Sequence, residues 1–204
     1  MKHATTTFLG LALSALVAHG AHAQGPAPLA RTLDSIAESG ILEKRAVGLV
    51  AAVVKGSDTL LHEGYGRADA EWDVAMPADA MFEIGSITKQ FTAAAVLQLR
   101  DEGKLTLDDD ITRWLPDFDT RGNRVTLRRL MDHTSGIVGL TELPQFGMLV
   151  WNPRFPRDSA YALINRTNFQ FATGEAQVYN NSAFWLLGLV VEKASGMSYE
   201  DYVE

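Results

Sequence analysis

Cysteine is absent from the 204 residues. That excludes thiol nucleophiles and thiolate metal sites, and it removes disulfides as staples, so an apolar core has to hold the fold alone. Positive charge is also in short supply: 18 Lys and Arg against 25 Asp and Glu leave a net charge of −7. A mildly acidic chain has no electrostatic attraction for a phosphate backbone, which argues against nucleic acid as a partner. Long apolar runs are missing too. The stretch from Phe8 to Ala18 falls short of the ~20 residues that cross a bilayer, so no transmembrane span is expected. Internal repeats, low-complexity tracts and interdomain linkers are not seen. His and acidic residues never cluster at metal-ligand spacing, so no metal and no cofactor are expected.

What the sequence does contain begins with an address. Lys2, the apolar stretch from Phe8 to Ala18 and the small-x-small run Ala21-His22-Ala23 read as a bacterial secretory signal peptide over residues 1–23. Cleavage after Ala23 removes one Lys and no acid, moving the net charge from −7 to −8, and directs the protein to the periplasm or the exterior. The remaining residues 24–204, from a chain that is 47% hydrophobic, have the size and composition of one domain.

Along that domain, Leu29, Leu33, Ile36 and Ala37 recur at helical spacing, which predicts a helix over roughly 28–39 with Gly40 as its stop. Residues 47–54 and 59–66 are β-rich runs around Lys55-Gly56-Ser57-Asp58 and predict an antiparallel hairpin. The first run is continuously apolar, as in a strand covered on both faces. Asp108-Asp109-Asp110 reads as a helix cap and solvated surface, and Thr126 opens a short helical run. His133, in the loop that follows, is a candidate ligand or base. Without a partner at ligand spacing it reads better as a hydrogen-bonded structural histidine. Residues 137–157 are rich in loop signals, with Trp151 and Phe155 either covering core or lining a cleft. Residues 158–165 look helical, and a strong helix over 182–196 carries Asn181 or Ser182 as its cap and Gly196 as its stop.

The chain is organised around Glu83-Ile84-Gly85-Ser86-Ile87-Thr88-Lys89-Gln90-Phe91-Thr92, which reads as the first turn of a helix that runs to Gly103. Side chains three apart share a helix face, so the Ser86 hydroxyl and the Lys89 amine are neighbours. A lysine in a first turn opposes the helix dipole by roughly 0.3–1 kcal/mol, and local conflicts of this kind gather at functional sites. Such a setting disfavours the ammonium form, leaving an amine able to take the serine proton. Taken alone the pair is weak, since Ser and Lys are common residues. A second polar motif, Tyr179-Asn180-Asn181, stands just before the strong second helix. A Tyr hydroxyl can relay a proton and an Asn amide can hold both a lysine and a carbonyl, although a packed Tyr and a capping Asn are the bland alternative.

Taken in this order, with Gly103-Lys104-Leu105-Thr106-Leu107-Asp108-Asp109, His133-Thr134-Ser135-Gly136 and Asn181-Ser182-Ala183-Phe184-Trp185-Leu186-Leu187-Gly188, the motifs resemble the serine β-lactamase-related superfamily. The likeness is to its branch of class C β-lactamases, D-Ala-D-Ala carboxypeptidases, other penicillin-binding proteins and esterases, and runs from about residue 30 to the last residue. The resemblance implies an α+β fold, β-lactamase/transpeptidase-like, with a helical region against an antiparallel sheet. It implies Ser86 as the acylated nucleophile, Lys89 as its base, Tyr179 as the proton relay to the leaving group, and Asn181 as a substrate and lysine contact. The expected activity is hydrolysis of a β-lactam, a D-Ala-D-Ala peptide or a small ester, the partner being that small molecule or peptide. The family's third motif, Lys or His followed by a small residue and Gly, does not follow Tyr179. The chain therefore reads as an N-terminal portion, truncated before the C-terminal strands. The competing expectation is a truncated or degenerate relative that only binds a ligand or partner. An α/β-hydrolase lacks its Gly-x-Ser-x-Gly elbow here.

Overall fold

A computed structural model describes residues 27–144 and 156–204. The leader over 1–23 and the aromatics Trp151 and Phe155 lie outside the described residues. The chain divides into two compact units, one ending at Glu83 and the other running from Ile84 to Glu204.

The first unit holds helix α1 (Ala27–Leu42) and an antiparallel sheet of three strands in the order β1 (Gly48–Lys55), β2 (Asp58–Asp69), β3 (Val74–Ala75). The predicted hairpin is present, with β1 and β2 paired from Gly48↔Gly66 to Lys55↔Asp58. Gly56, at φ +60°, turns the corner. The two-residue β3 has too few positions to show an alternation in sequence. Helix α1 does not stop at Gly40. A Cβ there would make only an ordinary 3.5 Å contact with Leu49, and the helix runs on through Leu42. The reversal comes at Lys44, φ +56°, where the Gly40 carbonyl accepts from the Arg45 and Ala46 amides at 3.0 and 3.3 Å. The expected two-sided cover of β1 is not found: none of its residues is buried and Val54 is 62% exposed. One helix supplies one layer of cover in this unit, and the Val and Ala run reflects β-propensity. The buried Tyr65 of β2 ties sheet to helix by donating to Asp34 Oδ1 at 2.7 Å.

The second unit is helical. A 3₁₀ turn at Gly85–Ile87 leads into α2 (Thr88–Asp101). Then come α3 (Leu127–Met131), α4 (Arg157–Arg166), α5 (Asn181–Ser195) and α6 (Tyr199–Val203). Local chemistry sets the boundaries. Gly103 at φ +73° ends α2 and Gly196 at φ +76° ends α5, both as left-handed stops. Thr126 and Ser198 cap α3 and α6 by accepting from Arg129 N and Asp201 N. The acidic triplet works as expected: Asp110 caps a 3₁₀ turn by accepting from Thr112 N, while Asp109 and Asp108 pair with Arg113 and Arg128 at the surface.

The apolar faces meet in one core. Ala95, Val96 and Leu99 of α2 pack with Ala183, Leu186, Leu187, Val190 and Val191 of α5, closed by Ile111, Leu127, Leu130 and Ile164. The expected cap of α5 is displaced by one position. Asn180, not Asn181 or Ser182, is the cap, its Oδ1 accepting from Ala183 N at 2.8 Å. Ser182 turns inward and accepts from Leu140 N at 2.7 Å. The offset sends Asn181 elsewhere, with consequences for the site.

Leu186 is fully buried and Leu42 is 79% exposed. Leu186→Ala should therefore cost about 2–5 kcal/mol of unfolding free energy, and Leu42→Ala within about 0.5 kcal/mol of nothing. Urea melts of the two variants check this pair of expectations.

Candidate active site

The site is built where α2 and α5 begin, within the second unit. Gly85 adopts φ +52°, and a Cβ there would meet nothing within 4 Å, so the conformation and not the space calls for glycine. The turn it makes leaves Ile84 in the cap position, with no side-chain cap on the helix start. The Ser86 hydroxyl thus does not cap the helix. It points instead to two other polar groups.

Lys89 Nζ donates to Ser86 Oγ at 3.3 Å and to Asn181 Oδ1 at 2.6 Å. The Ser86 hydroxyl also hydrogen-bonds the Tyr179 hydroxyl. Lys89 Nζ lies 4.8 Å from the centroid of the Tyr179 ring and 5.7 Å from that of Phe184, within the ~6 Å at which nitrogen and ring interact. The four residues picked from the sequence are therefore brought into one constellation, although 92 residues separate Lys89 from Asn181. Ser86 is exposed, Lys89 half-buried, and Tyr179 52% exposed, so the group faces solvent and a ligand can reach it. Hydrogen bonding with Lys89 holds the Tyr179 phenol below the ordinary tyrosine value. The Ser86 contact acts in the same direction, burial opposes both less strongly, and the lysine charge adds a still smaller lowering.

Beside Lys89 opens a cleft of about 420 Å³, bordered by Thr92, Asn181, Phe184, Trp185 and Tyr199. The α5 aromatics are thus half in the core and half in this wall. Thr92 and Tyr199 exchange a 2.6 Å hydrogen bond at its base. Among the described residues no group of three or more His, Cys, Asp or Glu is placed to hold a metal ion, and no helix is long and apolar enough to cross a membrane.

Two participants were not picked as site residues. His133 is hydrogen-bonded, as expected, but its Nδ1 accepts from Asn180 N at 3.1 Å and its ring packs on Tyr179. Asn180 anchors the turn through Ala183 N and through donation to the Ile137 carbonyl. The tandem Asn180-Asn181 was the available signal: a single cap needs one Asn, so the other is free for a different task.

Comparison with known proteins agrees with this picture. A family model described as Beta-lactamase matches residues 15–204. Penicillin-binding protein 4* of Bacillus subtilis is 32% identical over 166 residues, 79% of this chain and 36% of that protein. Esterase EstB of Burkholderia gladioli is 35% identical over 184 residues, 83% of this chain and 46% of that protein. A solved class C β-lactamase in complex with cefoxitin superposes with a TM-score of 0.72 at 25% identity, covering 87% of this chain and 48% of that one. The chain thus spans less than half the length of these relatives.

The lowered Tyr179 phenol depends on Lys89. A ¹³C-tyrosine titration should place Tyr179 below the usual value of about 10, and Lys89→Met should raise it. A phenol that titrates at the ordinary value in both proteins would remove the coupling.

Proposed function

Because the chain belongs to the beta-lactamase family, we propose that it is the part of a secreted or periplasmic serine hydrolase that carries the nucleophile, acting through an acyl-enzyme on Ser86. The observation that carries this is the Ser86 hydroxyl lying between the Lys89 amine and the Tyr179 phenol. A serine is a weak nucleophile until a neighbouring base takes its proton. Lys89, in its amine form, takes it as Oγ bonds to the substrate carbonyl carbon, and the carbonyl oxygen becomes an oxyanion. When the bond to the leaving group breaks, the leaving amine or alkoxide receives a proton through Tyr179. Asn181 fixes the lysine through its Oδ1 and offers its Nδ2 to the substrate carbonyl. Water then attacks the acyl carbon, releasing the acid and returning the proton to Ser86.

The substrate class is an acyl compound with an amine or alcohol leaving group: a β-lactam, a D-Ala-D-Ala peptide or a small ester. Support comes from relatives named as a penicillin-binding protein, an esterase and a β-lactamase. The export reading rests on the leader over 1–23.

A second reading of the base follows from the Ser86–Tyr179 hydrogen bond and the lowered phenol: the Tyr179 phenolate, not the Lys89 amine, takes the serine proton. The two separate on a p-nitrophenyl ester, whose leaving group needs no proton. If Lys89 is the base, Tyr179→Phe acylates on that ester nearly as fast as the parent protein. If Tyr179 is the base, the rate collapses.

A fluorophosphonate or labelled penicillin should add its mass to the peptide holding Ser86, and Ser86→Ala should abolish the label. Lys89→Met should slow acylation by about 10²–10⁴-fold, the usual contribution of a positioned base, while the thermal midpoint stays close to that of the parent. Labelling that survives Ser86→Ala would sink the assignment of Ser86, and a parent protein that takes no label would leave only a ligand-binding relative.

A further inference from the structure

His133 takes no part in the proposed chemistry, yet it is bonded to the segment that carries Tyr179 at two points. Its carbonyl accepts from Val178 N at 3.0 Å, and its Nδ1 accepts from Asn180 N at 3.1 Å. One residue therefore grips the backbone on both sides of Tyr179. The ring packs at 4.9 Å from the Tyr179 ring and 5.2 Å from that of Phe184.

The Tyr179 side chain cannot aim itself by burial, since it is half exposed. Its direction has to come from the backbone. The amide of Asn180 is the amide of a helix-cap residue, which in a capping box is satisfied by Glu or Gln three positions on. That position is Ala183 here, so the acceptor comes from another element. His133 supplies it while held at φ +62°, a left-handed conformation that costs a non-glycine residue on the order of 1–3 kcal/mol. Neighbouring bonds lay the two loops together: Gln177 Nε2 donates to the Asp132 carbonyl at 2.9 Å and Gly174 N to the Thr134 carbonyl at 2.8 Å.

We propose that His133 is the positioning residue of the site: its carbonyl and its unprotonated Nδ1 clasp residues 178 and 180, and so set the Tyr179 phenol against Ser86. The inference rests on the reading of Ser86 and Tyr179 as the reacting pair. The working form is the neutral Nε2–H imidazole. Protonation would place an N–H at Nδ1, donor against the donor of Asn180. The groups facing the ring are Lys89 from α2, Asp132 from its own turn and Tyr179; Phe184 from α5 carries no charge. Burial foremost, then the Lys89 charge, keep the imidazole below its ordinary value, with Asp132 opposing. A folded value below the unfolded one means that the clasp contributes fully above about pH 6.5. Its contribution is lost as the pH falls through the lower folded value.

Three measurements test this on the full-length gene product. The ¹⁵N spectrum of the His133 ring near neutral pH should show an unprotonated Nδ1. His133→Phe keeps a stacked ring without an acceptor. It should return the Tyr179 phenol to the ordinary tyrosine value and slow acylation of Ser86 by roughly tenfold or more, as misplacement of a reacting group does. His133→Asn places a side-chain oxygen near the position of Nδ1 and tolerates the left-handed backbone. It should restore both the titration and the rate, and hold the rate at lower pH than the parent, since Asn does not titrate. A protonated Nδ1, an unmoved Tyr179 titration in His133→Phe, or a His133→Asn no better than His133→Phe would each overturn the proposal. Should His133→Phe fail to fold, the ring tautomer and the His133→Asn pH profile still decide. Tautomer and titration need no substrate, so a parent protein that never acylates, yet behaves as expected in both, upholds the clasp and sinks only the acyl-enzyme reading.

Discussion

Everything at the site depends on the packing of α2 against α5. Their small and branched apolar faces, Ala95, Val96 and Leu99 on one and Ala183, Leu186, Leu187 and Val190 on the other, are buried in a common core. Burying a Val or Leu side chain contributes about 1.5–3 kcal/mol, so the registry of two helices is fixed by apolar contacts that take no part in chemistry. Their polar first turns are carried along by that registry. A lysine and an asparagine 92 residues apart meet at 2.6 Å because the core beneath them sets the two helix starts side by side.

The polar side chains at those first turns are free to meet because they have been relieved of capping. Serine and asparagine at a helix start ordinarily spend their side chains on the exposed backbone amides. Here the 3₁₀ turn before α2 has Ile84 in the cap position, and α5 is capped by Asn180. Ser86, second in the 3₁₀ turn, and Asn181, first in α5, are released, and both turn toward Lys89. The local cost of an uncapped α2 start is offset by the contacts the released groups make with one another.

Much of this was legible in the sequence. The hairpin, the stops at Gly103 and Gly196, the helix start at Thr126 and the acidic triplet follow from residue-by-residue chemistry, and the structure has each of them. The pairing of Ser86 and Lys89 follows from helical spacing, and its meeting with Tyr179 and Asn181 from the family resemblance. The failures share one cause. The one-residue shift of the α5 cap and the half-covered β1 are each settled by a neighbour distant in sequence: Ile137 and His133 for the first, the single helix of the first unit for the second. Propensity sees only the local partner, and in these two places the tertiary partner wins.

The contact between the loops around 133 and 179 was hidden from the sequence for the same reason, since its partners lie far apart in the chain. Positive φ at His133 belongs to the end of α3: the residue follows the Asp132 cap, and Thr134 N donates back to the Arg129 carbonyl at 3.0 Å, as in a left-handed helix stop. The approach of residues 170–180 is permitted by Gly136: at φ +78°, a Cβ there would stand 2.2 Å from the Phe171 carbonyl oxygen. Glycine at 136 lets the second loop come close, closeness places the Asn180 amide beside His133, and that amide, left without a capping-box partner, takes the imidazole nitrogen. Each step costs local free energy, in glycine entropy and in left-handed backbone. The return is a tyrosine whose backbone is held on both sides while its ring stays open to solvent. A catalytic side chain has to remain accessible to substrate, so its position must be fixed from below by groups that never touch the substrate. In this unit those groups are a core of two helices, a glycine that allows contact, and a histidine that accepts from the Asn180 amide.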